Sequence, residues 1–219
     1  VAYGIIEGVT EWLPISSTGH MILAEQVLKF SFSAEFMEMF RVVIQLGAIL
    51  AVVVLYFKKL WPFCADNGRD SGFSRHFRWP VVRLWCKIIV ACVPAAVLGL
   101  LLDDWLDAHL YNSITVALML IIYGIAFILI ERRPRVPTTT KLSRITYKQA
   151  LIVGAWQVLA LIPGTSRSGS TIIGGLLCGM SRPAASQFTF FLAIPVMAGA
   201  SGLKLVKFLA KGGVFTLAE

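Results

Sequence analysis

Charge is scarce in this chain. Only 15% of its 219 residues are Asp, Glu, Lys or Arg, where soluble domains carry about 25%, so there is too little polar surface to cover the chain in water. Histidine is nearly missing, at three residues, and the four cysteines, Cys64, Cys86, Cys92 and Cys178, form no Cys-x-x-Cys pair. That argues against a zinc or iron–sulfur framework and leaves the cysteines as small core residues. A signal peptide is not read, because the first stretch has no basic start and holds Glu7 and Glu11. Residue 1 is Val in a stretch that already reads as helical, so the chain is expected to be a piece of a longer protein. Despite a net charge of +8, no aromatic-and-basic stripe is present, and no nucleic-acid partner is expected.

What the chain has is apolar length. Hydrophobic residues make up 57% and come in long blocks. A helix crosses the bilayer core with about 20 apolar residues. Val42–Phe57, Leu84–Leu102, Ile114–Ile130 and Ala184–Leu203 read as crossings. Trp61, Trp79, Trp85 and Trp105 flank them as interface anchors, and Pro94 and Pro195 fall inside them as kinks. The Lys and Arg residues gather in two loops, Lys58–Arg83 and Arg132–Lys148, which the positive-inside rule places in the cytoplasm. The stretch Asp103-Asp104-Trp105-Leu106-Asp107 reads as an acidic loop on the outer side, and His76 and His109 as solvated loop residues.

Two regions break the pattern. Val1–Leu28 is a short apolar stretch, then Pro14, then Ser16-Ser17-Thr18-Gly19-His20, then another short apolar stretch. Ala150–Met180 follows the same plan around Pro163-Gly164 and Thr165-Ser166-Arg167-Ser168-Gly169-Ser170. Each half is too short to cross, so each region reads as a hairpin that enters and leaves on one side. A shift of 150 residues places Gly4 on Gly154, Glu7 on Gln157, Ser16 on Ser166, Gly19 on Gly169 and Ile22 on Ile172. Interrupted apolar segments at matching places point to a site near the bilayer midplane. With the loop charges, the first hairpin enters from outside and the second from the cytoplasm. The fold class expected is all-α: a polytopic integral membrane protein, one transmembrane domain over 1–219, with an inverted-topology repeat (halves about 1–102 and 113–219) and two re-entrant helical hairpins.

Three clusters carry chemistry. Glu7 and Glu11, at i and i+4, share a helix face with Cβ atoms about 5–6 Å apart. Such a pair in lipid wants a shared proton or a hard divalent cation such as Mg²⁺ or Ca²⁺; the alternative is a water-exposed helix end. In Ser16-Ser17-Thr18-Gly19-His20, hydroxyls and backbone N–H groups at a helix start can hold an anion, and Ser17 can act as nucleophile if His20 takes its proton; the alternative is a helix cap with a hydrogen-bonded His. Arg167 is the lone charge between Ala150 and Ser181. Placing it at depth costs at least about 2.5–3.5 kcal/mol, which calls for an anionic partner: a phosphate gripped by its planar fork, or one of the two glutamates. Ser166, Ser168, Gly169 and Thr171 surround it as a phosphate cradle. Gln45 and Gln157 can line such a site or bridge helices. The whole set suits phosphoryl transfer.

Glu7-x3-Glu11-x2-Pro14-x-Ser16-Ser17-Thr18-Gly19-His20 and Pro163-Gly164-x-Ser166-Arg167-Ser168-Gly169 resemble the two signature motifs of the bacterial undecaprenyl-diphosphate phosphatase family, the bacitracin-resistance proteins. The resemblance runs along the chain and includes Val42-Val43-Ile44-Gln45-Leu46-Gly47. It implies hydrolysis of undecaprenyl diphosphate to undecaprenyl phosphate in the bacterial plasma membrane, recycling the lipid carrier for wall polymers, with a divalent cation and a site open to the extracytoplasmic side. It assigns metal or water positioning to Glu7 and Glu11 and nucleophile and proton transfer to Ser17 and His20, in an order left open. Diphosphate binding falls to Arg167 with Ser16, Thr18, Ser166, Ser168, Gly169 and Thr171. A transporter or flippase of lipid phosphates is the competing reading, since inverted repeats with broken helices also build transporters. Monomer and homodimer are both left open.

Overall fold

A computed structural model describes residues 1–28, 34–64, 76–132 and 136–210. The described chain is helical throughout, with two isolated β-bridges, Phe63 to Phe77 and Thr139 to Met180, in its connections. In chain order the helices are α1 (Ala2–Thr10), α2 (Ser17–Leu28), α3 (Ala34–Val43), α4 (Gln45–Leu55), α5 (Phe57–Leu60), α6 (Trp79–Leu110), α7 (Ser113–Glu131), α8 (Tyr147–Gln157), α9 (Arg167–Leu177) and α10 (Arg182–Ala210).

Four stretches among the described residues are long and apolar enough to cross a membrane: Phe36–Leu55, Trp79–Leu106, Ser113–Glu131 and Arg182–Ala210. Their surfaces show which solvent they are made for. On α7, Ile114, Leu118, Ile121, Ile122, Ile125, Ile128 and Leu129 are all more than half exposed. In water so large an apolar surface would drive association; in hydrocarbon it is the expected outer face. Four such stretches with lipid-suited faces make the chain a multi-pass membrane protein.

Two of the three apolar clusters among the described residues do most to hold the bundle together. The larger joins Phe188, Phe191 and Leu192 of α10 to Ile88 and Ala91 of α6, Val52 of α4 and Ala150 and Val153 of α8. The smaller joins Tyr3 of α1 and Met21 of α2 to Phe36, Met37 and Met39 of α3 and Phe208 of α10. Helix ends are fixed locally. Asn112 accepts a hydrogen bond from the Thr115 N–H at the start of α7. Thr146 and Gln149 form a reciprocal capping box at the start of α8. Gln149 Nε2 also donates to Thr139 Oγ1 and to the Cys178 carbonyl, tying that helix start to the chain on either side.

Three expectations change. The acidic stretch from Asp103 is not a loop, because α6 continues through it to Leu110. The first crossing starts at Phe36 rather than Val42, so Glu38 and Arg41 lie within it. The last runs past Leu203 to Ala210 and carries Lys204 and Lys207. In each case the reading from sequence ended a helix at a charge, whereas the structure keeps the helix and pairs the charge. His109 likewise sits in the last turn of α6, exposed and stacked on Trp105. Both α6 and α10 run through their internal prolines, Pro94 and Pro195.

Candidate active site

The site is built from two short hairpins. In the first, α1 and α2 pack on each other, and the turn between them turns sharply at Ser16, whose φ of 64° is the one positive value on a non-glycine described residue. In the second, α8 ends at Gln157, a 3-10 turn follows over Val158–Leu161, the chain reverses at Gly164 (φ 89°), and α9 begins at Arg167. At 9 to 12 residues, each of the four helices is about 14–18 Å long, half of what a crossing needs. The hairpins share a capping device at the spacing of the repeat. Ser16 Oγ accepts from the Gly19 N–H at 3.2 Å, and Ser166 Oγ accepts from the Gly169 N–H at 3.1 Å. Each serine satisfies an early N–H of the helix it starts, so both hairpins present a helix N-terminus at the tip.

The tips meet. Ser168 Oγ donates to the Leu13 carbonyl at 3.4 Å, across 155 residues of sequence. A Cβ on Gly19 would lie 3.4 Å from Cα of Gly164 and 3.3 Å from Val116 of α7. At Gly164 itself a Cβ would lie 2.7 Å from the Val116 backbone, so only glycine lets the second tip settle on α7. At the junction Arg167 Nη2 donates to Glu11 Oε1 at 2.5 Å, and Ser17 Oγ donates to Glu11 Oε2 at 2.6 Å. One carboxylate therefore holds both the cation of one hairpin and the hydroxyl of the other.

Glu7, one turn before Glu11, is 2% exposed, and neither of its oxygens has a hydrogen-bond partner among the described residues. Its electrostatic neighbours are Glu11, Ser17 and Arg167. A buried carboxylate without such a partner beside a second carboxylate is costly, and either a shared proton or a hard cation would relieve it. The described residues contain no group of three or more His, Cys, Asp or Glu side chains. Two carboxylates nevertheless fit Mg²⁺, which keeps several waters and takes one or two protein carboxylates beside substrate phosphates.

A cavity of about 670 Å³ opens onto this junction, within the usual range for small-molecule sites. Its inner end is lined by Glu11, Ser16, Ser17 and Thr18 from the first tip and by Ser166, Arg167 and Ser168 from the second. Gln45 and Gln157 also line it. Gln45 Nε2 donates to Thr18 Oγ1 at 2.9 Å, so α4 orients that hydroxyl.

Other expected residues lie back from the cavity. Glu7, Gly169 and Thr171 are not in its lining. Thr171 Oγ1 donates within 2.9 Å of the Arg167 carbonyl and meets Thr189 Oγ1 of α10, which braces the first turn of α9. His20 Nδ1 lies 2.8 Å from the Ser16 carbonyl, and the ring is not in the lining. The group on the Ser17 hydroxyl is Glu11, not His20.

The reading from sequence missed the charged lining farther out. Glu38, Arg41, Asp103 and Lys204 all face this cavity. Arg41 pairs with Glu25 at 2.5 Å, while Lys204 pairs with Glu38 at 2.7 Å and with Asp103 at 3.2 Å. The signal available was four charges at the ends of apolar runs, which resembles ordinary helix-end decoration.

The chain matches a family model described as bacitracin resistance protein BacA over residues 1–218. It belongs to that family. Among curated relatives, an undecaprenyl-diphosphatase of Enterococcus faecalis (strain ATCC 700802 / V583) is 61% identical over 217 residues, 98% of this chain and 76% of that protein. The undecaprenyl-diphosphatase of Desulfitobacterium hafniense (strain DSM 10664 / DCB-2) is 59% identical over 95% of this chain and 74% of its own. That of Streptococcus sanguinis (strain SK36) is 56% identical over 97% of this chain and 74% of its own.

Proposed function

We infer that this chain removes a phosphate from undecaprenyl diphosphate, giving undecaprenyl phosphate, and that it contributes to bacitracin resistance. The relatives' names and the family support that activity. The observation that carries the chemistry is the junction of Arg167, Glu11 and Ser17 at the head of a lined cavity between hairpins.

Each group has a task that follows from its position. Arg167, sunk among uncharged residues, supplies donors to the diphosphate, with Ser166, Ser168, Ser16 and Thr18 and the two helix N-termini around it. Glu11 takes the proton of Ser17 Oγ as that oxygen bonds to the terminal phosphorus. The bridging P–O bond then breaks, and undecaprenyl phosphate departs as an anion that needs no strong acid. Water next attacks the phosphorus of the phosphoserine, and the proton held on Glu11 returns to Ser17 Oγ. Glu7 and Glu11 would hold the divalent cation, whose charge offsets that of the diphosphate. In phosphoryl transfer, positioning and charge neutralisation provide most of the rate.

The site's proposed opening is to the extracytoplasmic side of the bacterial plasma membrane. Asp103, on the acidic end of α6, lines the cavity, while the two basic loops belong to the opposite ends of their helices. The first hairpin is proposed to re-enter from that side and the second from the cytoplasm. Purified protein in detergent, given undecaprenyl diphosphate and Mg²⁺ or Ca²⁺, is expected to release inorganic phosphate. A transporter of lipid phosphates would release none and would need sealed vesicles to show activity, so absence of released phosphate defeats the hydrolase reading.

A further inference from the structure

The site contains a buried polar group with no assigned work. Gln157, the last residue of α8, is 2% exposed and lines the cavity, yet neither Oε1 nor Nε2 has a hydrogen-bond partner among the described residues. Reading it as an interhelical hydrogen bond finds no support, because among the described residues no neighbouring helix supplies an acceptor or donor. Arg167 in the same lining shows the same pattern: Nη2 is engaged by Glu11, while Nε and Nη1 have no partner. Buried donors without acceptors are rare in native proteins and call for an explanation such as a ligand. Two such side chains lining one cavity point to an acceptor-rich guest.

We propose that Gln157 is a further substrate-binding residue, whose Nε2 donates to a non-bridging oxygen of the diphosphate while Oε1 holds a water beside it. This rests on the phosphatase reading above. An amide offers two donors at one end and an acceptor at the other, which matches a fully ionised phosphate and its hydration. The internal repeat explains the choice of residue. Position 157 corresponds to Glu7, and both are buried at the same depth, 2% exposed. On the first hairpin a carboxylate suits a cation. On the second, whose arginine lines the same cavity and meets the anion, a carboxylate would confront the phosphate with like charge. The amide keeps the shape and reach of glutamate and removes the charge, so the two arms divide the labour of holding cation and anion.

The test uses two substitutions of similar volume, Gln157→Glu and Gln157→Met, in detergent-purified protein, with phosphate release, metal titration and thermal unfolding measured on each. Both are expected to raise KM for undecaprenyl diphosphate about tenfold or more, since a hydrogen bond to a charged partner is lost. Gln157→Glu should be the worse of the two, and the metal midpoint should stay at the wild-type value. Removing an unpartnered buried amide should leave Tm for Gln157→Met equal to or above that of the wild type. Wild-type KM in both variants overturns the proposal. So does a higher KM accompanied by a fall in Tm for Gln157→Met, because Gln157 would then be a packing residue. If the unaltered protein releases no phosphate, the phosphatase reading itself fails, and this inference with it.

Discussion

Glu11 is the residue on which the candidate site converges, because its carboxylate meets Ser17 of one hairpin and Arg167 of the other. Its two oxygens are divided between them. Oε2 receives the Ser17 proton and Oε1 fixes the Arg167 guanidinium. Glu11→Gln keeps the size of the side chain but removes the base and one charge of the cation pair. The expected outcome is a fall in kcat of about 10²–10⁴-fold, the usual range for a lost general base, read as phosphate release from the lipid diphosphate. Activity within a few fold of the unaltered protein would remove Glu11 from proton transfer. At this scale much of the site could be read in advance. Glu7, Glu11, Ser17 and Arg167 stood out because carboxylate, hydroxyl and guanidinium groups are expensive in lipid without partners. The partner of Ser17 could not be read. Glu11 is six residues before it and His20 three after, and only the left-handed backbone at Ser16 turns the hydroxyl toward the carboxylate.

At the scale of elements, residues 150 apart are alike in the caps and unlike in the packing. Ser16 and Ser166 do the same work, whereas Gly4 and Gly154, equally spaced counterparts, do not. A Cβ on Gly154 would lie 2.3 Å from the backbone oxygen of Ala91, so α8 rests directly against the backbone of α6. A Cβ on Gly4 would meet nothing within 4 Å. The same substitution therefore has opposite consequences. Gly154→Ala must push α8 off α6, costing about 1–3 kcal/mol or more, and should carry Gln157 and the second tip away from Glu11. Gly4→Ala should be neutral or stabilising by up to about 1 kcal/mol, as expected for replacing a helical glycine. Thermal unfolding in detergent distinguishes the pair, and equal Tm values for the two variants would refute the close approach of α6 and α8. The hairpins themselves were legible because glycine, proline and hydroxyl residues interrupt apolar runs too short to cross. The difference between the two arms was not, since a bare glycine looks the same whether it faces lipid or a backbone carbonyl.

For the whole molecule, hydropathy located four crossings but misjudged where they end. Each error fell at a charge: Glu38 and Arg41 in the first crossing, Asp103 in the second and Lys204 in the last. A linear reading treats a charge as the edge of the membrane, because it cannot see the opposite charge that another helix brings. In the folded protein these residues face the cavity, and Lys204 joins α10 to α3 and α6 at once through Glu38 and Asp103. The Lys204 side chain is 10% exposed, while Glu38 is 35% exposed and so partly hydrated. Removing the lysine takes a cation from a partly hydrated carboxylate, which costs less than in a sealed core. Lys204→Met is therefore expected to destabilise by about 2–3 kcal/mol, below the roughly 3–5 kcal/mol of a fully buried pair. Asp103 keeps Lys207 at 2.8 Å after the change. Combining Lys204→Met with Glu38→Gln should then recover part of the stability, and the non-additivity measures the coupling. If the single variant unfolds at the temperature of the unaltered protein, Lys204 adds nothing to the joint between the three helices, and the pairing of Lys207 with Asp103 together with apolar contacts holds them.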